Sequence, residues 1–215
     1  APPLPKADIR NLWEVLGITS QGSIGQNGLF QPDLVWQKGT PYPKLQIQGI
    51  PDEWVFVREE PDEEAGLINP DDDITSGLDV IFFSYPGSVE PDTKSSLKFT
   101  KLVKTRELAG VIGFEDMVRY QNDRAMLRSS QRRMPNVTLA ARIEGLLGDP
   151  GQSEKEASGD SAEGEADDQP QVRVVYVADI DVMASGFVRL RARPNEEQAI
   201  QWKFENITFL LNIID

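Results

Sequence analysis

The amino-acid sequence predicts an α/β fold, a mostly parallel sheet flanked by helices. Three observations lead there. Val172-Arg173-Val174-Val175-Tyr176-Val177 is apolar almost throughout after Arg173, which is how a strand covered on both faces reads. Strand-like and helix-like stretches are mixed along the chain. A chain of 215 residues with 39% hydrophobic content can bury a sizeable core.

Each element has its own signal. Ile9, Leu12, Trp13 and Leu16 recur at helical spacing over residues 7–16, and Gly17 is a natural stop. Gln21 to Asn27, with Gly22 and Gly25, reads as a loop. Leu34-Val35-Trp36 and Trp54 to Val57 read as strands separated by a turn-rich stretch. Glu59 to Asp73 is acidic, carries Pro61, Gly66 and Pro70, and is expected to be a solvated loop. Val80-Ile81-Phe82-Phe83 is a buried strand that ends at Tyr85-Pro86-Gly87-Ser88. Leu97 to Val103 suits a strand. Phe114 to Arg133 is polar and arginine-bearing, with helix expected around Met126-Leu127. Val137, Leu139, Ala141 and Ile143 alternate as one strand face before Gly145. A last helix is expected from about Glu196 to Ile214.

Residues 148–171 differ in kind. They are acid-rich, with Gly and Ser and no aromatic or β-branched side chain, so they cannot offset their own ordering entropy and are expected to be disordered. The strand and helix that follow cannot bury their own faces alone. The acidic segment is therefore read as an insert within a single α/β domain spanning residues 1–215.

Composition excludes several chemistries. The chain has 22 basic and 35 acidic residues, a net charge of −13, which disfavours phosphate backbones and argues against nucleic acid as a partner. It has no Cys and no His, so Ser-His-Asp and Cys-His catalysis and thiolate or imidazole metal sites are ruled out. No apolar stretch approaches the roughly 20 residues of a membrane span. The chain begins without Met and reads as a piece of a longer protein, so any membrane attachment lies outside it.

The remaining constellations are weighed against plainer readings. Asp179 and Asp181 follow an apolar strand and resemble the carboxylate pair of haloacid-dehalogenase-type phosphatases; turn and capping hydrogen bonds are the plainer account. Asn69, Asp71, Asp73 and Thr75 have the spacing of a calcium loop, but Ile74 stands where that loop needs Gly and Val80 where it needs Glu. Gly22, Gly25 and Gly28 match no phosphate-loop pattern. Arg124, Arg128 and Arg132 are spaced as one helix face, a docking surface for an acidic partner or lipid phosphates unless they pair within the chain. Trp36, Tyr42, Trp54 and Tyr85 lie in or beside predicted loops and are candidates for stacking on sugar rings, against ordinary packing at the core edge. Asn136-Val137-Thr138 and Asn206-Ile207-Thr208 are formal glycosylation sequons.

Several segments, in order, resemble one known family. They are Leu12-Trp13-Glu14-Val15-Leu16-Gly17-Ile18, Asn69-Pro70-Asp71-Asp72-Asp73-Ile74-Thr75-Ser76-Gly77-Leu78, Tyr85-Pro86-Gly87-Ser88, Leu139-Ala140-Ala141-Arg142-Ile143-Glu144-Gly145, Val175-Tyr176-Val177-Ala178-Asp179-Ile180-Asp181-Val182-Met183, and Glu205-Asn206-Ile207-Thr208-Phe209-Leu210-Leu211-Asn212-Ile213-Ile214-Asp215. The chain resembles the auxiliary domain of uncharacterised ABC-type transport systems, the family that includes bacterial gliding-motility auxiliary proteins. It departs from the family pattern in lacking a strand ending in Asp-Pro before the first helix. The resemblance implies a class I glutamine-amidotransferase-like or flavodoxin-like sheet. It also implies an extracytoplasmic, periplasmic-side location within a longer membrane-associated protein, and an ABC permease or another envelope protein as partner.

The function expected on these grounds is a non-catalytic interaction module, not an enzyme, with no cofactor and no metal. The alternatives are a glycan or small-ligand-binding domain using the four aromatic residues with Asp179 and Asp181, and a metal-dependent hydrolase using Asp179 and Asp181. Oligomeric state is left open.

Overall fold

The computed structural model describes residues 9–26, 28–42, 50–59, 66–147, 170–192 and 203–215. Helix α1 (Arg10–Leu16) buries Trp13 and Leu16. It stops at Gly17, whose φ of 59° is left-handed and where a Cβ would fall 1.9 Å from the Ser95 hydroxyl oxygen, so the turn and the close approach both demand glycine. Five small sheets follow among the described residues. β1 (Ile18–Thr19) pairs with β7 (Glu90–Pro91), and β2 (Gly22–Ile24) with β3 (Phe30–Pro32). β9 (Ala109–Ile112) lies between β4 (Leu34–Gln37) and β10 (Arg132–Arg133). β5 (Trp54–Arg58) pairs with β6 (Val80–Ser84). β11 (Thr138–Leu146) lies between β8 (Lys98–Lys104) and β12 (Gln171–Val177). Helices α2 (Phe114–Tyr120) and α3 (Arg124–Ser129) connect β9 to β10. A 3₁₀ turn (Ile180–Met183) and helices α4 (Ser185–Ala192) and α5 (Asn206–Ile214) follow β12.

Among the described residues every strand pair is antiparallel, which overturns the expected mostly parallel sheet and, with it, the amidotransferase-like or flavodoxin-like α/β architecture. The apolar run that prompted that expectation has another cause. On β12, Val175 and Val177 pack on the largest core cluster, while Val172, Val174 and Tyr176 pack on a second one around Trp13 and Ile143. A strand set between two clusters is apolar on both faces whatever its direction.

Two local expectations also change. Gln21 to Asn27 contributes β2 to a hairpin with β3. The acidic stretch before Asp73 is not uniformly solvated, because Leu67, Ile68 and Asp72 are buried. The acidic insert lies outside the described residues except for Pro170, which precedes β12, and Gln171, its first residue. Of the expected last helix, residues 203–205 are not helical and the helix runs Asn206–Ile214, while residues 196–202 lie outside the described residues.

Polar groups hold these sheets together. In β6 the residues Ile81 and Phe83 are hydrogen-bonded to β5, which turns the backbone groups of Val80, Phe82 and Ser84 outward. The Glu205 N–H donates to the Val80 carbonyl at 2.7 Å. The Asn206 side chain accepts from the Phe82 N–H at 3.1 Å and donates to the Phe82 carbonyl at 2.7 Å, mimicking a neighbouring strand. Asp179 accepts from the Ser84 N–H at 2.7 Å. The buried Gln37 amide similarly donates to the Phe56 carbonyl at 2.8 Å and accepts from the Arg106 N–H at 3.0 Å.

After β6 the chain turns at Tyr85, with φ at 54°, and crosses three elements. The Val35 N–H donates to Pro86, the Gly87 N–H to Ala178, and the Val89 N–H to Thr138, at 2.7, 2.8 and 3.0 Å. The Tyr85-Pro86-Gly87-Ser88 segment is thus the tie between the β4 and β11 sheets.

Because Asn206 is fully buried, Asn206→Ala leaves the Phe82 N–H and carbonyl unpaired and should cost roughly 2–4 kcal/mol. The measurement is the urea midpoint, with the slope unchanged.

Candidate functional site

Helices α2 and α3 form a short hairpin over the β4–β9–β10 sheet. Glu115 and Asp116 occupy the first turn of α2 and Arg119 its last, the order that suits the helix dipole. The Asp123 carboxylate caps α3 by accepting from the N–H groups of Ala125 and Met126, both at 3.1 Å. On the inner side, Met117 and Leu127 pack on a cluster of Leu34, Trp36 and Ile112. Trp36 is only 5% exposed, and its indole N–H donates to the Val111 carbonyl at 3.3 Å. It anchors the hairpin and offers no ring for a sugar.

The outer side exposes Arg119, Arg124, Arg128, Val118 and Met126, with Arg132 and Arg133 beside them on β10. Over Phe114 to Arg133 five arginines stand against three acids (Glu115, Asp116 and Asp123), a local positive excess in a chain of net charge −13. The expected helix face is shortened, however. Arg124 and Arg128 share α3, but the helix ends at Ser129 and Arg132 belongs to β10, opposite Val111. β10 can approach because β9 carries Gly110, where a Cβ would fall 1.9 Å from the Arg132 carbonyl oxygen. The Arg132 guanidinium pairs with Asp33. Burial pushes the Asp33 carboxyl above its usual range, and Arg132 opposes the shift. Beside α2 lies an open groove lined by Gln26, Gln31, Phe114, Glu115, Val118 and Arg119.

The other sequence candidates lie elsewhere. Tyr42 and Trp54 join an aromatic cluster with Phe56, Phe82 and Phe204. Tyr42 meets Phe56 at 5.5 Å and Trp54 meets Phe82 at 5.8 Å, both edge to face. The Tyr42 hydroxyl accepts from the Lys203 N–H at 2.9 Å. Tyr85 is 37% exposed. The structure therefore places Trp36 in a different cluster from Tyr42 and Trp54, and the four rings form no common stacking platform. Asp179 spends both carboxylate oxygens on the backbone, one on Ser84 at 2.7 Å and one on Asp181 at 2.8 Å. Asp181 is exposed. Asp179 is thus a capping and edge-closing residue. Among the described residues, no three acidic side chains are grouped to hold a metal ion, and no helix is long and apolar enough to cross a membrane.

Sequence reasoning missed two charged features. Glu53 is 1% exposed, and its Oε1 has no hydrogen-bond partner among the described residues. Burial pushes its carboxyl up; the neighbouring Asp52 adds to this, while its own backbone N–H, Gln131 and Lys38 oppose it. Asp72, buried in what reads as a solvated acidic run, pairs with Arg142 at 3.0 Å. Charge alone marked neither residue, since nothing in the sequence distinguishes a buried carboxylate from its exposed neighbours.

Trp36→Ala should destabilise the protein by about 3–5 kcal/mol, read from chemical unfolding, as loss of a packed core ring does. Glu53 gives a pH signature. The folded state holds its proton more tightly than the unfolded chain does. Its penalty on folding therefore begins in the ordinary Glu range, where the unfolded chain ionises, grows as pH rises toward the raised folded-state pKa, and is full beyond it. Glu53→Gln should show a flatter stability–pH curve across that window, its advantage over wild type growing with pH.

Comparisons with known proteins add one finding. No curated protein and no solved structure matches the chain. Residues 7–213 match a protein family described as "ABC-type uncharacterized transport system", the segments of the resemblance among them. The chain belongs to this family of auxiliary components of ABC-type transport systems.

Proposed function

We propose that the chain is a non-catalytic interaction module of its transport system, held on the extracytoplasmic side as part of a longer membrane-associated protein. It docks on an ABC permease or another envelope protein. The observation that carries this reading is the α2–α3 hairpin, whose inner side is pinned by Trp36 and whose outer side offers arginines beside exposed Val118 and Met126. Arginine and methionine are enriched at protein interfaces, and a rigid backing keeps the ordering cost of binding low. The arginine fork suits carboxylates, so an acidic surface is the matching partner. The glycan alternative has less support because Trp36 is buried beneath this hairpin. The hydrolase alternative has less because both Asp179 oxygens are engaged by backbone.

Charge reversal tests the dock. Arg124→Glu with Arg128→Glu should weaken association with the purified transporter complex at least tenfold, with circular dichroism checking that the variant is folded. Arg132 is left intact because its pairing with Asp33 is structural. Wild-type affinity should fall with added salt. Unchanged assembly by the double variant would remove this face from the account.

A further inference from the structure

Among the described residues, the edges of β6 and β12 are treated differently. On β6 the Val80 carbonyl, the Phe82 N–H and carbonyl and the Ser84 N–H are met by Glu205, Asn206 and Asp179. The outward groups of β12 are not. The flanking bonds from the Leu147 N–H to Pro170 and from the Ala178 N–H to Leu139, both at 2.9 Å, fix which residues of β12 face β11. With the unbroken register between them, Val172, Val174 and Tyr176 bond to β11, and Arg173, Val175 and Val177 turn their N–H and carbonyl groups outward. Among the described residues nothing hydrogen-bonds to those outward groups. The edge is seven residues long, has no proline and has one charge, Arg173. Natural sheets usually blunt such an edge. From Val174 to Val177 the side chains are half-buried on both faces against core clusters, so another strand would find apolar surface on either side.

Charge decides what kind of strand fits. Ion pairs of alternating sign run from Asp72 in its turn to Arg142 on β11 at 3.0 Å, along β11 from Arg142 to Glu144 at 3.2 Å, and across to β12 from Glu144 to Arg173 at 3.6 Å. Arg173 ends the series at the edge with its side chain 73% exposed, and it meets Glu144 through Nε. The next member of the series is a carboxylate on the added strand. A second copy does not supply one from its own β12, which contains no acidic residue, and two copies of net charge −13 repel.

We propose that the outer edge of β12 is a strand-addition site for an extended segment of a partner protein, apolar at alternate positions and carrying a carboxylate opposite Arg173. Main-chain hydrogen bonds to Arg173, Val175 and Val177 supply the register, and the Arg173 fork selects the acid. This site does not depend on the arginine face of α2 and α3, and either can fail without the other.

The probe is a displayed library of random twelve-residue peptides, selected on the full chain and then titrated by fluorescence anisotropy. The expected peptides alternate apolar residues around an Asp or Glu. Val175→Pro deletes an outward N–H without touching the ladder to β11, and should weaken these peptides at least tenfold. Arg173→Glu should weaken them at least tenfold and, in a fresh selection, turn the preference to Lys or Arg. Circular dichroism and the thermal midpoint check that each variant is folded; if Val175→Pro is not, Arg173→Glu decides alone. A library that yields no binder, or peptides that bind both variants as tightly as wild type, would overturn the proposal. So would a dimer in sedimentation that Val175→Pro abolishes, since a second copy would then own the edge.

Discussion

Among the described residues strand β6 has a strand neighbour, β5, on one side only, and the contacts on its other edge place the turn after β12 and the start of α5. A strand edge presents unpaired N–H and carbonyl groups that cannot be buried without partners. Here the partners come from the turn after β12 and from the start of α5. Asn206 serves both groups of one residue, Phe82, which fixes its side chain and hence the first turn of the helix. With that turn fixed, Phe209 enters the main core cluster and Ile207 the aromatic one. The Asn212 side chain donates to the Ile74 carbonyl at 3.0 Å, fastening the other end of the helix to the turn that follows Asn69. That turn is itself set by side chains. Asn69 accepts from the Asp71 N–H at 3.0 Å, and Asp72 accepts from the Ile74 N–H at 3.1 Å while pairing with Arg142.

This arrangement gives the polar residues of the segments that carry the family resemblance structural roles at fixed places. Asp179, Glu205 and Asn206 close an edge; Asp72 and Arg142 bind a turn to the β11 sheet; Gly17 and Tyr85 supply left-handed backbone where the chain reverses. Each acts on backbone or on a neighbouring charge. The buried sequon at Asn206 follows the same logic, since its amide is fully committed to Phe82. The surfaces proposed for recognition are the arginine side of the α2–α3 hairpin and the outer edge of β12.

Much of the local structure was legible in the sequence. Helical spacing of Trp13 and Leu16 with Gly17 behind them placed α1, and the apolar runs at Leu34, Trp54 and Val80 placed β4, β5 and β6. Strand direction was not legible. The run from Val172 to Val177 records only that both faces are covered, and an antiparallel strand between two clusters satisfies that as well as a parallel one. The site was partly legible. The excess of arginine in an acidic chain pointed to α3, but helical spacing carried past Ser129 because nothing in the sequence shows that Gly110 opens a pairing position for Arg132. Trp36 illustrates the same limit in reverse. A Trp beside a turn reads as a ligand platform until the helix packed over it is seen.

The contrast between a closed edge and an open one is the centre of this account, and amide hydrogen exchange resolved by residue tests it most directly. With β6 closed and β12 open, the Phe82 and Ser84 amides should be as protected as the core ladder. Along β12 protection should alternate, slow at Val172, Val174 and Tyr176 and fast at Arg173, Val175 and Val177. Uniform protection along β12 in the isolated protein, or rapid exchange at Phe82, would contradict it.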